Sequence, residues 1–300
     1  MKNETIKSKI ELYFQNSGIE ISVKQSNQLT IFTQMLYKYN NSHDLTRITN
    51  IDDVIIKHFI DSLFILNLIA LPQSLIDIGT GPGFPGIPIK ICNPDINITL
   101  AEPRYKRVEF MDMVIKELEL KKIDIYPHLV TERSFFNAEG VITRALEKAD
   151  DTLSRVNHFL PYGGTVILLK GPGANEDLKL LSKENKMHYS LLNNIEYTLP
   201  NTNHERVLLE FKKETNFIKK LYYIPTDHLK TTSQSLKIIT SNENKQYKDL
   251  KKLTSSDGIK KQNKILISGK KIISELLQKN QKDYELVLFD EYREDSYDLI

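Results

Sequence analysis

The chain has 300 residues, of which 40% are hydrophobic and 27% are charged, and its formal net charge is +2. This composition supplies enough apolar surface for a folded core and excludes wholesale disorder. The longest apolar stretch, residues 54–71, is interrupted by Lys57, His58, Asp61 and Asn67, which excludes a bilayer span at that place. The N-terminus has no continuous apolar leader, so we expect a cytoplasmic protein. The length predicts two folding units.

Metal and disulfide chemistry find little support in the sequence. The one cysteine, Cys92, has no partner for an internal disulfide, and we expect it to be a small buried apolar residue. Cysteine and histidine residues nowhere have the spacing of a structural zinc site. We therefore predict no metal site.

Charge is distributed unevenly along the chain. Residues 213–282 contain 16 lysines against six acidic residues, whereas the last 18 residues contain one arginine against seven acidic residues. Such a basic block is typical of a segment that binds a polyanion, and nucleic acid is the polyanion that we favour. A solvated lysine-rich face is the alternative.

The first 70 residues are predicted to form a helical cap. Ile6, Ile10 and Phe14 have helical spacing, and a second helix follows Ser22, a residue type that favours the N-cap position. A third helix is predicted over residues 52–69, where apolar residues and His58 follow one face.

Residues 71–213 have a different pattern, in which short apolar runs alternate with segments of helical spacing. This alternation predicts parallel β–α–β units and a doubly wound, Rossmann-like α/β sheet. Helices are predicted over residues 105–118 and 150–160. Strands are predicted over residues 75–78, 98–101, 123–126, 141–143, 165–169, 195–199 and 206–211.

The remaining residues are predicted to form a linker and a second, smaller α/β module. Residues 214–237 are polar with sparse apolar residues, as is typical of a linker. The module comprises residues 238–300. Its helices are predicted over residues 247–253 and 270–278, and its strands over residues 264–268 and 285–289.

A glycine-rich turn, residues 77–86, follows the first predicted strand and reads Asp-Ile-Gly-Thr-Gly-Pro-Gly-Phe-Pro-Gly. Its alternating glycines allow positive φ angles and the close approach of a ligand to the backbone. The spacing differs from the G-x-G-x-x-G of dinucleotide-binding turns, and its prolines remove N–H donors that a pyrophosphate needs. The turn therefore disfavours a nicotinamide cofactor. The predicted cofactor site begins with Asp77, Gly79, Gly81 and Gly83.

Glu102 follows the next predicted strand, 23 residues after Gly79. At that position a carboxylate can accept hydrogen bonds from both ribose hydroxyls of an adenosine. Because the carboxyl ends of parallel strands meet at one edge of a sheet, we expect Glu102 and the glycine-rich turn to lie together. The pair predicts a cofactor that contains adenosine.

The glycine-rich turn and its neighbours, residues 75–88, resemble motif I of the RsmG family, also called GidB: bacterial methyltransferases of small-subunit ribosomal RNA. The resemblance covers roughly residues 5–212, with Asp44 standing where the family usually has Asn. The further segments that carry it are His43-Asp-Leu-Thr-Arg-Ile, Lys57-His-Phe-Ile-Asp-Ser, Val141-Ile-Thr-Arg-Ala, Leu169-Lys-Gly and Asn203-His-Glu-Arg.

The resemblance implies a Rossmann-like class I methyltransferase fold behind an N-terminal helical cap. It also implies methyl transfer from S-adenosylmethionine to N7 of a guanine in 16S rRNA, with that RNA or the small ribosomal subunit as partner. By carry-over, Gly79 and Phe84 line the cofactor and Thr131 and Glu132 approach its adenine. Arg144 then borders the methionine moiety or the target base.

Methylation of guanine N7 needs no general base, because that atom has a lone pair and no proton. Catalysis is then expected to depend on proximity, orientation and exclusion of water. Arg144 and Lys170 follow predicted strand ends and are candidate clamps for RNA or a carboxylate, with ordinary salt bridges as the alternative. His58 is expected in the core. Its alternative role is to position the cofactor turn or RNA together with Asp61.

The C-terminal module has a resemblance of its own. Two runs of this module resemble the RNA-binding module of SpoU-type ribose methyltransferases. They are Ile238-Ile-Thr-Ser-Asn-Glu-Asn-Lys-Gln-Tyr-Lys-Asp-Leu-Lys-Lys-Leu and the later Ile265-Leu-Ile-Ser-Gly. Ser268 stands where those enzymes have an acidic residue. The resemblance implies a second RNA-holding module without an active site, and a degenerate appendage is the alternative.

Two other functions compete with the methyltransferase. A non-catalytic RNA-binding factor of ribosome assembly would retain the fold without the reaction. A nicotinamide-dependent oxidoreductase conflicts with the alternating glycines. The sequence leaves open the target nucleotide, the role of the C-terminal module and the oligomeric state.

Overall fold

A computed structural model describes residues 3–131 and 134–214 and, beyond them, the backbone of three strands within residues 221–289. The chain forms two compact units, Met1–Thr215 and Asn216–Ile300. The domain boundaries drawn from the sequence at residues 70, 213 and 237 stay predictions. Several predicted features lie outside the described residues, namely Glu132, the helices at 247–253 and 270–278, and the strand at 264–268.

The N-terminal part of the first unit is helical. Helix α2 begins after Ser22, whose hydroxyl accepts the Gln25 N–H at 3.3 Å while the Gln25 side chain accepts the Ser22 N–H at 2.7 Å. This capping box confirms the predicted N-cap. The helix ends at Asp44, whose φ of 50° lies in the left-handed region that Asn and Asp tolerate best after glycine. The first two helices are α1 (Asn3–Asn16) and α2 (Val23–His43).

The third helical stretch is less regular than the sequence predicts. It contains a π-helical segment, Ile55–Ile60, in which His58, Phe59 and Ile60 are buried. The apolar spacing of this stretch suits either type of helix, so it does not reveal the change in hydrogen-bond register. Such π segments frequently occur at functional sites. In order, the stretch comprises α3 (Ile51–Val54), the π-helical segment, α4 (Asp61–Leu63) and the 3₁₀ turn Phe64–Asn67.

A seven-stranded sheet follows, in the order β3-β2-β1-β4-β5-β7-β6. Neighbouring pairs among the first five strands are parallel, whereas β7 runs antiparallel to both β5 and β6. All seven strands overlap the predicted runs, which confirms the α/β fold and its doubly wound sheet. They are β1 (Ser74–Ile78), β2 (Asn97–Ala101), β3 (Ile123–Tyr126), β4 (Gly140–Arg144), β5 (Thr165–Lys170), β6 (Tyr189–Thr198) and β7 (Glu205–Lys213).

Helices cover both faces of the sheet and enclose two cores. One core joins the sheet to the N-terminal helices through buried aromatic residues such as Phe32, Phe59 and Phe110, and partly buried Cys92 packs against it. The other joins the opposite face to Leu153 and its neighbours. The helices are α5 (Gly86–Cys92), α6 (Tyr105–Glu117), α7 (Ala149–Val156), α8 (Ala174–Lys179) and α9 (Lys183–His188). The last two were not predicted, because six residues are too few to establish a helical period.

The second unit contains a three-stranded antiparallel sheet in the order β10-β8-β9. Strand β8 falls within residues 214–237, where the sequence predicted a linker. That prediction overlooked the run Leu-Tyr-Tyr-Ile, in which tyrosine and isoleucine are residue types that favour strands. The strands are β8 (Leu221–Ile224), β9 (Lys237–Ile239) and β10 (Leu286–Phe289). Within the described parts of both units, no helix has the length and apolarity needed to cross a membrane.

Candidate active site

The glycine-rich turn joins β1 to α5 and lies at the carboxyl edge of the sheet. Its glycines Gly79, Gly81 and Gly83 have φ angles of 72°, 61° and 107°. The Gly79 N–H donates to the carbonyl of Ala101 at 2.9 Å, which ties the turn to the end of β2. A Cβ atom on Gly81 would meet only the Arg107 guanidinium, 3.6 Å away. Gly81 is buried, but the only group that a Cβ atom there would meet is the end of this flexible side chain.

Glu102 lies against this turn, as the sequence predicts. Its Oε2 accepts the Gly81 N–H at 3.1 Å, and its Oε1 accepts the Arg104 N–H at 3.0 Å. Arg107 adds an ion pair, with Nη1 3.6 Å from Oε2. The carboxylate is buried but each oxygen has a second lone pair, so it retains the capacity to accept hydrogen bonds from a ligand.

Asp77 is fully buried beneath the turn. Its Oδ2 accepts hydrogen bonds from the Thr80 hydroxyl at 2.5 Å and from the Gly86 N–H at 2.8 Å. Burial raises the pKa of this carboxyl to about 7, against the lowering effect of both hydrogen bonds. Its Oδ1 is buried without a hydrogen-bond partner among the described residues. A buried acceptor of this kind is unfavourable by itself and suits a ligand that donates or carries positive charge.

Phe84 connects the glycine-rich turn to the helical cap. Its ring stacks on the His58 imidazole, with centroids 4.4 Å apart and planes at 11°. The Arg144 guanidinium carbon lies 5.5 Å from the same ring centroid, within the range of a cation–π contact. The other neighbours of Phe84 are Phe32 and Phe59, so its position is fixed by packing.

Arg144, at the end of β4, is held by groups of the third helical stretch. Its Nη1 donates to the carbonyl of Lys57 at 2.9 Å and approaches Asp61 Oδ2 at 3.4 Å. Its Nη2 lies 3.2 Å from His58 Nδ1, and His58 Nε2 lies 2.9 Å from the Thr46 hydroxyl. A guanidinium has only donors, so Nδ1 accepts and the imidazole is neutral with its proton on Nε2. Burial and the nearby Arg144 lower the pKa of His58 to about 3.

Arg206 joins the same cluster, although no role for it was predicted. Its Nε donates to Asp61 Oδ1 at 2.7 Å, so that Asp61 lies between Arg206 and Arg144. Arg206 is near the start of β7, and the amino end of this antiparallel strand lies at the carboxyl edge of the others. Its presence in the motif Asn203-His-Glu-Arg was the only sequence signal. We call His58, Asp61, Arg144 and Arg206 the polar cluster.

Two other predicted site residues, Lys170 and Thr131, form their hydrogen bonds with residues outside the polar cluster. The ammonium of Lys170 donates to the carbonyl of Glu147 and to Asp177 Oδ2, both at 2.6 Å. Lys170 therefore forms the salt bridge that was the alternative to an RNA clamp. Thr131 is exposed after β3, and its N–H donates to the Ser134 hydroxyl at 3.0 Å. Within residues 3–131 and 134–214, no three histidine, cysteine or acidic side chains are grouped in a way that suits a metal ion.

The fold and the site together define a class of protein. A sheet with this strand order, a glycine-rich turn after its first strand and an acidic residue after its second are the features of a Rossmann-like class I methyltransferase. The chain belongs to the family described as "GidB: rRNA small subunit methyltransferase G", whose model matches residues 25–206.

Relatives of known name are similar over most of the first unit. The chain is 40% identical over 204 residues to ribosomal RNA small subunit methyltransferase G 2 of Bdellovibrio bacteriovorus, covering 68% of this chain and 80% of the relative. It is 32% identical over 209 residues to ribosomal RNA small subunit methyltransferase G of Escherichia coli, covering 68% and 97%. A third relative, ribosomal RNA small subunit methyltransferase G 2 of Syntrophobacter fumaroxidans, is 37% identical over 264 residues, which is 87% of this chain. The chain spans about half of that relative's length, 51%.

Solved structures are similar at a lower level. A ribosomal protein L11 methylase from Lactobacillus delbrueckii subsp. bulgaricus has a TM-score of 0.43 and 12% identity, covering 56% of this chain and 81% of that chain. TYW2 of P. horikoshii, in complex with MeSAdo, has a TM-score of 0.41 and 12% identity, covering 52% and 62%. The family assignment rests on the sequence comparisons alone.

Proposed function

We propose that this chain transfers a methyl group from S-adenosylmethionine to N7 of a guanine in small-subunit (16S) ribosomal RNA. The observation that carries the proposal is the contact between Gly81 and Glu102 in a chain of the GidB family. This contact joins the glycine-rich turn to a carboxylate that is suited to bind ribose hydroxyls.

The residues of the turn fit S-adenosylmethionine on two independent grounds. The cofactor carries positive charge on its sulfonium and its ammonium, and the unpartnered Oδ1 of Asp77 is a buried acceptor. The cofactor also carries a ribose, and Glu102 retains lone pairs beside Gly81, a position without a Cβ atom. The residues that hold it are Asp77, Gly79, Gly81, Gly83, Phe84 and Glu102, with Thr131 and Glu132 beside the adenine.

The protein's own contribution to the reaction is orientation. When bound, S-adenosylmethionine supplies a methyl group activated by its sulfonium. Guanine N7 needs no base, and His58 is not arranged to be one, because Nδ1 accepts from Arg144 and Nε2 donates to Thr46. A pKa of about 3 keeps that imidazole neutral at physiological pH. The polar cluster instead fixes Phe84 and the turn through contacts that are present before any ligand arrives.

Arg144 is the cluster member best suited to touch a substrate. Its side chain is 17% exposed, against 9% for Asp61 and 23% for Arg206, and of the two arginines it is the one that contacts Phe84 of the glycine-rich turn. Its role is to clamp the target base or the cofactor carboxylate with donors that Lys57, His58 and Asp61 leave free. Lys170 acts indirectly, because its bond to the Glu147 carbonyl holds the loop that follows Arg144.

The RNA substrate follows from the family and from the charge of the chain. The named relatives are methyltransferases of small-subunit ribosomal RNA, and the same substrate is proposed here, as free 16S rRNA or within the small subunit. Such a substrate makes the cytoplasm the site of action. Lys213 is buried, so the basic segment proper is residues 214–282, with 15 lysines against six acidic residues. These lysines supply contacts to phosphates that depend on salt and not on sequence.

The segment after residue 237 is proposed as a second RNA-holding module of SpoU type. The lysine content supports RNA binding, and the resemblance of two runs within residues 238–253 and 265–269 is the ground for the SpoU type. The alignment with the Syntrophobacter relative covers 87% of this chain and so extends past residue 214, which means that part of the basic segment is shared with that relative. The module has no active site of its own in this proposal.

Calorimetric titration of the full-length protein with S-adenosylmethionine tests the cofactor site. We expect saturable binding, at least tenfold weaker binding in Glu102→Gln, and no binding of NAD. Glu139→Gln is the matched control, because Glu139 lies at the opposite edge of the sheet, where its carboxylate accepts the Gln73 N–H. Complete failure to bind S-adenosylmethionine would favour the non-catalytic assembly factor, and tight binding of NAD alone would favour the oxidoreductase.

A further inference from the structure

Tyr105 is an aromatic side chain that the fold leaves in solvent. It is the first residue of α6, three residues after Glu102, and it is 75% exposed. Its chain neighbours Arg104 and Lys106 are also exposed. Exposed aromatic rings between cations are the usual means by which proteins hold single-stranded nucleic acid, since bases stack on the ring and phosphates contact the cations.

The charges around Tyr105 are the reverse of those that a helix start favours. The positive end of the helix dipole normally attracts acidic residues, but the first turn of α6 has none. It contains Lys106 and Arg107 and follows Arg104 instead. Of these, Arg107 is paired with Glu102 at 3.6 Å. The remaining excess of positive charge is unfavourable for α6 alone and is complementary to the phosphates of a bound nucleic acid.

The backbone that carries Tyr105 is fixed next to the proposed cofactor site. The Arg104 N–H donates to Glu102 Oε1 at 3.0 Å, on the side of the glycine-rich turn. The Lys106 ammonium donates to the carbonyl of Ser42 at 2.9 Å, on the side of α2. The helix start is therefore held from both sides, so a base that stacks on Tyr105 lies at a defined place near the reacting groups.

We propose that Tyr105 is a stacking platform for an unpaired base that neighbours the methylated guanine, with phosphates at Arg104 and Lys106. The inference rests on the proposed function for the identity of the nucleic acid, and it adds a residue that positions the RNA strand. The stacking surface is the ring, so the hydroxyl is dispensable.

The absence of tryptophan from the 300 residues allows a direct optical test. Tyr105→Trp introduces the only indole of the full-length protein, and protein-free 16S rRNA should quench its emission by stacking. Inorganic polyphosphate, which has charge but no bases, should leave the emission unchanged. Tyr162→Trp is the matched control, because Tyr162 is 58% exposed and precedes β5 at the opposite edge of the sheet.

Affinity measurements separate stacking from a structural role. Tyr105→Ala should weaken binding of 16S rRNA about tenfold, and Tyr105→Phe should remain within about twofold of the wild type, as loss of one base stack predicts. Both variants should bind S-adenosylmethionine as the wild type does. The inference would be overturned if 16S rRNA did not quench the emission of Tyr105→Trp, or if polyphosphate quenched it equally. An unchanged affinity of Tyr105→Ala for 16S rRNA would also overturn it. If the wild type binds 16S rRNA and the emission of Tyr105→Trp is quenched, but the wild type transfers no methyl group, the platform stands and the proposed function fails.

Discussion

The imidazole of His58 and the ring of Phe84 stack face to face, with centroids 4.4 Å apart. His58 belongs to the π-helical segment of the cap, and Phe84 belongs to the glycine-rich turn. The contact therefore joins two parts of the chain that the sequence separates into cap and sheet. Because His58 also accepts from Arg144, the neutral imidazole holds an aromatic ring on one face and a cation at its edge.

The buried His58 should make stability depend on acid pH. In the unfolded chain its imidazole binds a proton below pH 6.5, whereas the folded pKa is about 3. The unfolded state thus binds more protons between pH 6.5 and 3, and stability falls as the pH falls through that window. Urea unfolding at pH 7, 6, 5 and 4 should show a smaller decline for His58→Asn than for the wild type.

The matched control for this experiment is His128→Asn, because His128 is exposed after β3. Its decline with falling pH should equal that of the wild type. Equal slopes for His58→Asn and the wild type would contradict the burial argument.

Asp77→Asn should separate cofactor affinity from stability. Asparagine keeps the shape and one carbonyl acceptor for the Thr80 hydroxyl and the Gly86 N–H, but it removes the negative charge. The folded pKa of Asp77 is raised to about 7, so the folded state binds an extra proton between pH 3.8 and 7 and loses stability as the pH rises through that window. The variant should lack this loss in urea unfolding, yet bind S-adenosylmethionine at least tenfold more weakly by calorimetry. Undiminished affinity would show that the charge has no part in binding.

Gly81→Ala should impair the cofactor site more than the fold. The φ of Gly81 is 61°, where a side chain costs about 1 kcal/mol, but its Cβ atom would contact only Arg107 at 3.6 Å. Gly163→Ala is the matched control, because Gly163 has a φ of 78° and nothing within 4 Å of the added atom. Both variants should lose similar stability in urea unfolding, and only Gly81→Ala should lose calorimetric binding of S-adenosylmethionine. Equal cofactor affinities for the two variants would refute the proposed approach of the ligand to Gly81.

Neutralising lysines of the C-terminal segment should change the salt dependence of RNA binding. A full-length variant with four substitutions removes four positive charges from this segment. The substitutions are Lys245→Gln, Lys248→Gln, Lys251→Gln and Lys252→Gln. If each lysine contacts a phosphate, the slope of log affinity against log salt decreases by up to about 3. The corresponding arginine variant keeps the charge and should keep the slope. Filter binding of 16S rRNA at several salt concentrations measures both, and an unchanged slope for the glutamine variant would leave the segment without a role in binding.

The strands of the sheet could be predicted because the sequence pattern that indicates each strand is local. Parallel strands are buried on both faces and appear as short apolar runs, and β2 and β3 were bounded to within one residue. The contact of Gly81 with Glu102 was predictable for a related reason. Once the strands are known to be parallel and consecutive, their carboxyl ends must meet.

The polar cluster could not be assembled in the same way, because its contacts cross large sequence distances. Asp61 and Arg206 are separated by 145 residues, and their pairing depends on β7 running antiparallel. No periodicity specifies that direction. The π-helical register that buries His58 is likewise set by tertiary packing, since the same apolar spacing suits an ordinary α-helix.

Methyl transfer to guanine N7 can be measured by following a labelled methyl group into RNA. Full-length protein is incubated with radiolabelled S-adenosylmethionine and 16S rRNA that lacks the modification, as free RNA and as small subunits, and the labelled nucleoside is identified after digestion. We expect label in 7-methylguanosine at one position, and much less label with Glu102→Gln. Absence of label from both substrates, or label on any other atom, would contradict the proposed function.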